Sequence, residues 1–223
     1  MLKAQNPVIA VIDSGIGGVS ILKQLIKKFH VGNYIYFADN LYMPYGNKSK
    51  TWLNNRLKTI INELKFKYKV DYVIIACNTA SACIESSEYN NVITMKFLKD
   101  YVYFATSLTK KNLVDLNVIA DKTLAKKIEN HIFDNKKLNQ IVKQHVKYHK
   151  LNNLDSCVLG CTHYELVKPM FEKYCFKTKI INNSSFVIDS IEINNEINEL
   201  NLVILTSKED EEIKEKVRKL ISN

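Results

Sequence analysis

The stretch DYVIIACNT at residues 71–79 returns in similar form as DSCVLGCTH at residues 155–163. Each copy contains an aspartate, a short apolar run, a small residue, a cysteine and two polar residues that can begin a helix. A short continuous apolar run of this kind is typical of a buried parallel strand. Because the same strand end occurs twice, the sequence predicts two pseudo-symmetric halves.

Strand-like and helix-like segments alternate along the rest of the chain. The run VIAVI at residues 8–12 predicts another buried strand, and residues 51–67 carry apolar side chains at helical spacing. Further strands are predicted at residues 34–38, 92–95, 101–105, 116–120, 179–181 and 202–205, and further helices up to residue 29 and at residues 79–88, 122–132, 138–149, 164–173 and up to 220. The predicted fold class is α/β, with mainly parallel sheets in two lobes.

Composition excludes several classes of function. The chain has 223 residues and a net charge of +9, but its only arginines are Arg56 and Arg218, so we expect no nucleic-acid partner. No apolar run reaches the length of a membrane span, and the first residues lack a secretory segment, so we expect no membrane association and a cytoplasmic location. Five cysteines are an odd number, which argues against a disulfide framework.

Cys77 and Cys161 are the strongest candidates for chemistry, because each follows a predicted strand and begins a predicted helix. The positive end of a helix dipole is expected to lower the pKa of such a thiol. In open α/β sheets, sites lie beyond the carboxyl ends of strands, so both thiols can border one cleft between the lobes. A base and an acid on opposite faces of a Cα atom would invert its configuration. The other three cysteines are predicted to be small buried apolar residues: Cys83, Cys157 and Cys175.

Asp13, Ser14 and His163 each have two interpretations. Asp13 and Ser14 can cap a helix, or they can assist Cys77 and bind a substrate. His163 can be a structural hydrogen-bonding residue, or it can polarise the neighbouring Cys161 thiol. The glycines after Asp13 are not followed by a Walker lysine, so no nucleotide site is expected. Cys161 and His163 are only two residues apart at a strand end, which is poor geometry for zinc without further ligands, so we expect no metal site.

Four blocks of sequence together resemble the glutamate racemase family and occur in the same order as in that family. They are VIDSGIGG at residues 11–18, PYG at 44–46, ACNTAS at 76–81 and LGCTHY at 159–164. The resemblance runs from about residue 8 to the C-terminus, where VILTS at residues 203–207 is similar to the closing strand of the family. His163 favours the glutamate branch, because aspartate racemases tend to carry Glu at this position.

The resemblance implies a fold and a set of roles. It implies a first lobe of residues 1–95 plus 183–223, a shortened second lobe of residues 96–182, and a site between them. Cys77 and Cys161 would be the two bases, assisted by Asp13 and His163, in a cofactor-independent racemisation of glutamate that supplies D-glutamate for peptidoglycan. The substrate would contact Ser14, Pro44, Tyr45, Gly46, Asn78, Thr79, Thr106, Thr109 and Thr162. Homodimers are common in the family, so a homodimer is one expectation.

The chain departs from the family pattern after its middle strand. Asp121-Lys122-Thr123 stand where the family has a Cys-Pro-rich stretch, and Glu129 matches a family glutamate that lies near His163. Three other functions stay open at this point. The chain could act on aspartate or another acidic amino acid, it could use Cys161 and His163 as the nucleophile pair of a hydrolase or transferase, or it could bind a ligand without catalysis.

Overall fold

Nine parallel strands form two sheets in the computed structural model, which describes residues 7–29, 32–84, 89–189, 191 and 199–222. The strands of the first sheet are β1 (Val8–Asp13), β2 (Gly32–Ala38), β3 (Tyr72–Ile75), β4 (Val92–Thr94) and β9 (Leu200–Thr206). Their order across the sheet is β4-β3-β1-β2-β9. The central strand β1 is almost completely buried, which explains its continuous apolar run.

The second sheet is built entirely from the middle of the chain. Its strands are β5 (Val102–Thr106), β6 (Asn117–Asp121), β7 (Ser156–Gly160) and β8 (Lys179–Asn182). They lie in the order β6-β5-β7-β8, and all pairs are parallel. The predicted α/β class with mainly parallel sheets is therefore confirmed. The division into lobes of residues 1–95 plus 183–223 and 96–182 agrees with the membership of the two sheets, and we retain it as a proposal.

Ten α-helices occur in the described part of the chain. They are α1 (Val19–Phe29), α2 (Lys50–Tyr68), α3 (Asn78–Ser81), α4 (Ser107–Asn112), α5 (Leu124–His131), α6 (Asn135–Tyr148), α7 (Thr162–Leu166), α8 (Lys168–Tyr174), α9 (Ser185–Ile188) and α10 (Glu211–Ser222). Short 3₁₀ turns lie at Asn40–Tyr42, Tyr45–Asn47 and Leu151–Asn153. No helix in the described ranges is long and apolar enough to cross a membrane.

Two of the helix predictions were wrong, and two short helices were not predicted. The helix expected at residues 79–88 ends at Ser81, and residues 85–88 lie outside the described ranges. The helix expected at 164–173 is divided into α7 and α8 at Val167, because Pro169 has no N–H to donate to the carbonyl four residues earlier and its ring would clash with that carbonyl. The short helices α4 and α9 were not predicted.

One hydrophobic cluster extends across both sheets. Leu22 on α1 and Tyr36 on β2 belong to the same cluster as Phe104 on β5 and Tyr164 on α7, and all four are fully buried. The α1 helix of the first sheet packs against α7, which follows β7 of the second sheet. This shared core holds the ends of β3 and β7 in a defined relation to one another.

Candidate active site

The two repeated strand ends border one cavity of about 480 Å³. Cys77 follows β3 and is the N-cap residue of α3, and Cys161 follows β7 and is the N-cap residue of α7. Each cysteine is only 7% exposed, and both line the cavity. The cavity therefore receives one thiol from each sheet.

The expectation that a helix start lowers the pKa of Cys77 is wrong for the empty site. Burial raises the pKa of the Cys77 thiol, and the negative charge of Asp13 raises it further. Helix α3 has only four residues, so its dipole is small, and the backbone N–H groups of Ala80 and Thr79 do not offset the loss of water. Cys77 is therefore a thiol at neutral pH in this structure.

His163 lies between Cys161 and a buried carboxylate. Its Nε2 atom and the Glu129 carboxylate are hydrogen-bonded, and both residues are at most 5% exposed. Burial opposes the charged imidazolium, but hydrogen bonds and charge interactions with Cys161 and Glu129 raise the pKa of His163 well above its usual value. The predicted proximity of Glu129 to His163 is confirmed. Cys161 and Glu129 therefore both interact with the His163 ring.

Asp13 connects the end of β1 with the start of α7. Its Oδ1 atom accepts a hydrogen bond from the Gly15 N–H at 2.9 Å, and its Oδ2 atom accepts one from Thr162 Oγ1 at 3.0 Å. Burial raises the pKa of the Asp13 carboxyl above its usual value, although His163 and the Gly15 N–H lower it. Asp13 is completely buried and does not line the cavity, so it can affect the site only through neighbouring groups.

Three threonines form a hydrogen-bonded triangle on another wall. Thr79 Oγ1 lies 3.1 Å from Thr106 Oγ1 and 3.0 Å from Thr109 Oγ1, and the last two atoms are 2.9 Å apart. Thr79 is the second residue of α3, which follows β3 of the first sheet, whereas Thr106 ends β5 of the second sheet. Thr79 and Thr106 line the cavity, while Thr109 is fully buried behind them. Thr109 therefore positions the other two hydroxyls.

The Tyr45 hydroxyl is hydrogen-bonded to a buried carboxylate rather than to either thiol. It donates a hydrogen bond of 2.6 Å to Asp39 Oδ2, and Arg56 binds the same carboxylate through two N–H groups at 2.9 and 2.6 Å. Tyr45 still lines the cavity together with Pro44 and Gly46. This loop can therefore offer main-chain groups to a ligand while the Asp39 network fixes its shape.

Asn78 presents a buried donor without a partner. Its Oδ1 atom accepts a hydrogen bond from Asn183, but its Nδ2 atom has no hydrogen-bond partner among the described residues. Asn78 is 2% exposed and lines the cavity beside Cys77. A buried amide N–H without an acceptor is costly, so this group is suited to a ligand carboxylate.

The structure brings nearly all predicted site residues to one cavity. Every one of them lines it except Asp13 and Thr109, which lie directly behind lining residues. Their individual roles remain predictions. Lys122 and Lys126, two exposed lysines that also line the cavity, were not among the predicted site residues. Lys122 lies in the segment that departs from the family pattern, which was a usable signal, whereas no such pattern marked Lys126.

A second cluster, of metal-ligand residue types, adjoins the thiol cavity and shares Asp121 with its wall. Asp121, His145 and His149 place one potential ligand atom each within 4.8 Å of the others. The sequence analysis did not pair these residues, because they are separated by up to 28 positions. The spacing of two histidines four residues apart on one helix was a usable signal.

Comparisons with known proteins agree with the fold. The chain matches no family model. A glutamate racemase from Buchnera aphidicola subsp. Schizaphis graminum is 31% identical over 212 residues, which cover 82% of this chain and 82% of that protein. Glutamate racemase from Thermus thermophilus superposes with a TM-score of 0.80 at 18% identity, covering 98% of this chain and 94% of that one. The enzyme from Francisella tularensis, solved with D-glutamate, gives a TM-score of 0.71 at 22% identity over 98% of this chain and 94% of that one.

Two parallel sheets that each bring a cysteine to one cavity define the class of protein, a two-sheet α/β isomerase of the amino-acid racemase type. The similarity to curated relatives extends over most of both chains at 30% identity and above. The chain belongs to the glutamate racemase family.

Proposed function

We propose that the chain interconverts L-glutamate and D-glutamate by moving a proton between Cα and two thiols. The observation that carries this proposal is the pair Cys77 and Cys161, which reach one cavity from different sheets. Each thiol adjoins a different auxiliary group, since Asp13 acts on Cys77 and His163 is hydrogen-bonded to Cys161. A base and an acid on opposite sides of Cα are what stereoinversion requires.

The surroundings of the two thiols differ in a way that suits L-glutamate. Cys161 is hydrogen-bonded to His163, and we infer that its sulfur removes the α-proton of L-glutamate. Cys77 is held as a thiol by burial, so it can deliver its proton to the opposite face. In the reverse direction Asp13 would accept the proton of Cys77, and the Cys77 thiolate would act on D-glutamate. Each turnover returns one proton to Cα for the one removed.

The carbanionic transition state needs hydrogen-bond donors. The Asn78 amide is a buried donor with no partner in the described chain, and the Thr79 and Thr162 hydroxyls line the same cavity. We infer that these groups bind the α-carboxylate, where negative charge develops. One such donor is typically worth about 2.7–4 kcal/mol in the transition state.

Two lysines of the cavity wall suit a dicarboxylic substrate, while the acidic lining residues Asp121 and Glu129 are paired with histidines. Lys122 and Lys126 lie at this wall and add two positive charges. We infer that they attract a substrate with a second carboxylate. The Francisella tularensis relative was solved with D-glutamate, which supports glutamate as the substrate. Turnover of L-glutamate and L-aspartate, compared at equal enzyme concentration, separates glutamate from other acidic amino acids.

The two-thiol mechanism is tested by C77S and C161S in deuterated solvent. We expect each variant to lose racemisation by at least about 100-fold, because general acid–base groups typically contribute 10²–10⁴-fold. C77S should still exchange the α-proton of L-glutamate without inverting it, since Cys161 remains. C83S is the matched control, because Cys83 is buried but does not line the cavity.

Two other outcomes would favour other functions. Full racemisation by C77S would favour a Cys161–His163 nucleophile pair. Binding of glutamate by the wild type without any proton exchange would favour a binding protein.

The cellular role follows from the same chemistry. We propose that the protein acts in the cytoplasm as a source of D-glutamate for peptidoglycan, and that it forms a homodimer. D-glutamate auxotrophy after deletion of the gene tests the first statement. Sedimentation equilibrium of the purified protein tests the second.

A further inference from the structure

A polar cluster at the far end of β6 is not used by the proposed racemase chemistry. We propose that Asp121 Oδ2, His145 Nδ1 and His149 Nε2 bind a divalent transition-metal ion of the zinc type. Two imidazoles and one carboxylate are a ligand set that such ions accept. Asp121 follows β6, whereas the histidines lie one helical turn apart at the end of α6.

The ligand atoms already converge on one point. Asp121 Oδ2 lies 2.6 Å from His145 Nδ1 and 2.8 Å from His149 Nε2. Zinc bonds of about 2.0–2.2 Å place neighbouring ligand atoms of a tetrahedron about 3.3 Å apart. Each of these two separations must therefore widen by less than about 1 Å to admit the ion. Side-chain rotation is sufficient for such a change.

The cluster is held in place by groups around it. Asp121 Oδ1 accepts hydrogen bonds from the backbone N–H groups of Thr123 and Leu124, both at 2.7 Å. These bonds fix the carboxylate, so that Oδ2 faces the two histidines. The His149 ring packs on Phe104 with ring centroids 5.0 Å apart. Such outer contacts orient metal ligands and reduce the entropy lost on binding.

An ion can reach the cluster from solvent. The side chains of Asp121, His145 and His149 are 6%, 10% and 12% exposed. All three residues line a cavity of about 550 Å³ together with Gln144 and Tyr148. Three protein ligands leave a fourth position of a tetrahedral ion open toward this cavity, where water can occupy it.

Lys127 competes with the ion, so replacing this lysine should increase the affinity for the metal. Its Nζ atom lies 3.2 Å from His145 Nε2, where it donates a hydrogen bond if that nitrogen is unprotonated. When a metal occupies Nδ1, Nε2 carries the ring proton and can no longer accept from the ammonium. Lys127 is exposed and can turn into solvent, but its departure costs binding energy.

Binding of the ion would also affect the neighbouring thiol cavity. Asp121 lines both cavities, and its backbone contacts hold the first turn of α5, the helix that carries Glu129. The metal test nevertheless uses no substrate, so its outcome is independent of racemase activity.

The experiment is a calorimetric titration of the purified full chain with Zn²⁺, repeated with Co²⁺ under visible spectroscopy. We expect one site whose affinity falls by at least about 100-fold in H149Q, because loss of a ligand exceeds the 10–100-fold effect of an outer contact. H131Q is the matched control, since His131 is a half-buried histidine outside the cluster. It should bind as tightly as the wild type. Cobalt at this site should show ligand-field bands without the thiolate charge-transfer absorption that binding to Cys77 or Cys161 would produce.

The second variant is K127M, which changes an exposed side chain and keeps all three ligands. It should bind Zn²⁺ roughly tenfold more tightly than the wild type, because the competing donor and charge are gone. Absence of zinc binding, equal affinity of H149Q and H131Q, a thiolate-type cobalt spectrum, or no gain in K127M would each overturn the proposal. The triad would then be a hydrogen-bonded network that needs no ion.

Discussion

The Thr162 hydroxyl donates a hydrogen bond of 3.0 Å to the Asp13 carboxylate, and this contact joins residues 149 positions apart. Asp13 ends the central strand of the first sheet, whereas Thr162 begins α7 after a strand of the second sheet. The contact links the auxiliary carboxylate of Cys77 to the helix start that follows Cys161. Groups assigned to different thiols are therefore mechanically coupled.

Replacing Asp13 by Asn should slow turnover while preserving the fold. The amide oxygen can still accept from the Gly15 N–H, and the amide nitrogen can donate to the Thr162 hydroxyl. The amide cannot take the Cys77 proton, so we expect kcat/KM to fall by about 100-fold or more. The fall must be equal in both directions, because the equilibrium constant of a racemisation in water is one. Circular dichroism assays from each isomer measure both values. Wild-type turnover by D13N would show that Cys77 does not need this carboxylate.

Replacing Glu129 by Gln should change the pH dependence of activity. The Glu129 carboxylate helps to raise the pKa of His163, so the imidazolium persists to alkaline pH in the wild type. In E129Q this pKa falls, and the alkaline limb of the kcat/KM profile should move to lower pH. E172Q is the control, because Glu172 is an exposed partner of Lys168 on the surface. Superimposable profiles of wild type and E129Q would contradict the role of this pair.

Glu165 should make stability decrease as pH rises. Burial raises the pKa of Glu165 to about 7, although hydrogen bonds from Ser184 and Ser20 lower it. Since the folded state holds this proton more tightly than the unfolded chain, the contribution is complete below about pH 4.5 and is lost as pH rises through about 7. The loss is on the order of 3 kcal/mol.

The E165Q variant removes this titration. The difference in unfolding free energy, E165Q minus wild type, should therefore be larger at about pH 8 than at about pH 5. These two pH values lie on either side of the shifted pKa of Glu165. Urea unfolding at the two pH values measures the difference. A constant difference across that interval would show that Glu165 titrates normally.

Gly17 should not tolerate a side chain. A Cβ atom at this position would lie 2.7 Å from His163 Nδ1 and 2.9 Å from the His163 backbone nitrogen, and would also meet Thr162. G17A should therefore lower the free energy of unfolding by about 1–3 kcal/mol, which is typical of overpacking. At Gly46 a Cβ atom would meet nothing within 4 Å, so G46A is the control and should unfold like the wild type. Equal midpoints in thermal unfolding would disprove the close approach of the two loops.

Local patterns in the sequence determined the strands, the α/β class and the position of Cys77 and Cys161 at strand ends. These features depend on residues close together in the chain, because a buried parallel strand needs a continuous apolar run and a helix start needs polar caps. The repeated strand end even indicated that two sheets would each bring a thiol to the site.

Only the tertiary structure decided the environment of those residues. The raised pKa of Cys77 arises from burial by surrounding elements, and no local pattern reports that loss of water. The Tyr45 hydroxyl is directed to Asp39, and Asp121 joins His145 and His149 at the end of α6. Hydrogen bonds and charge interactions act over a few ångströms in space, so their partners are known only after the chain has folded.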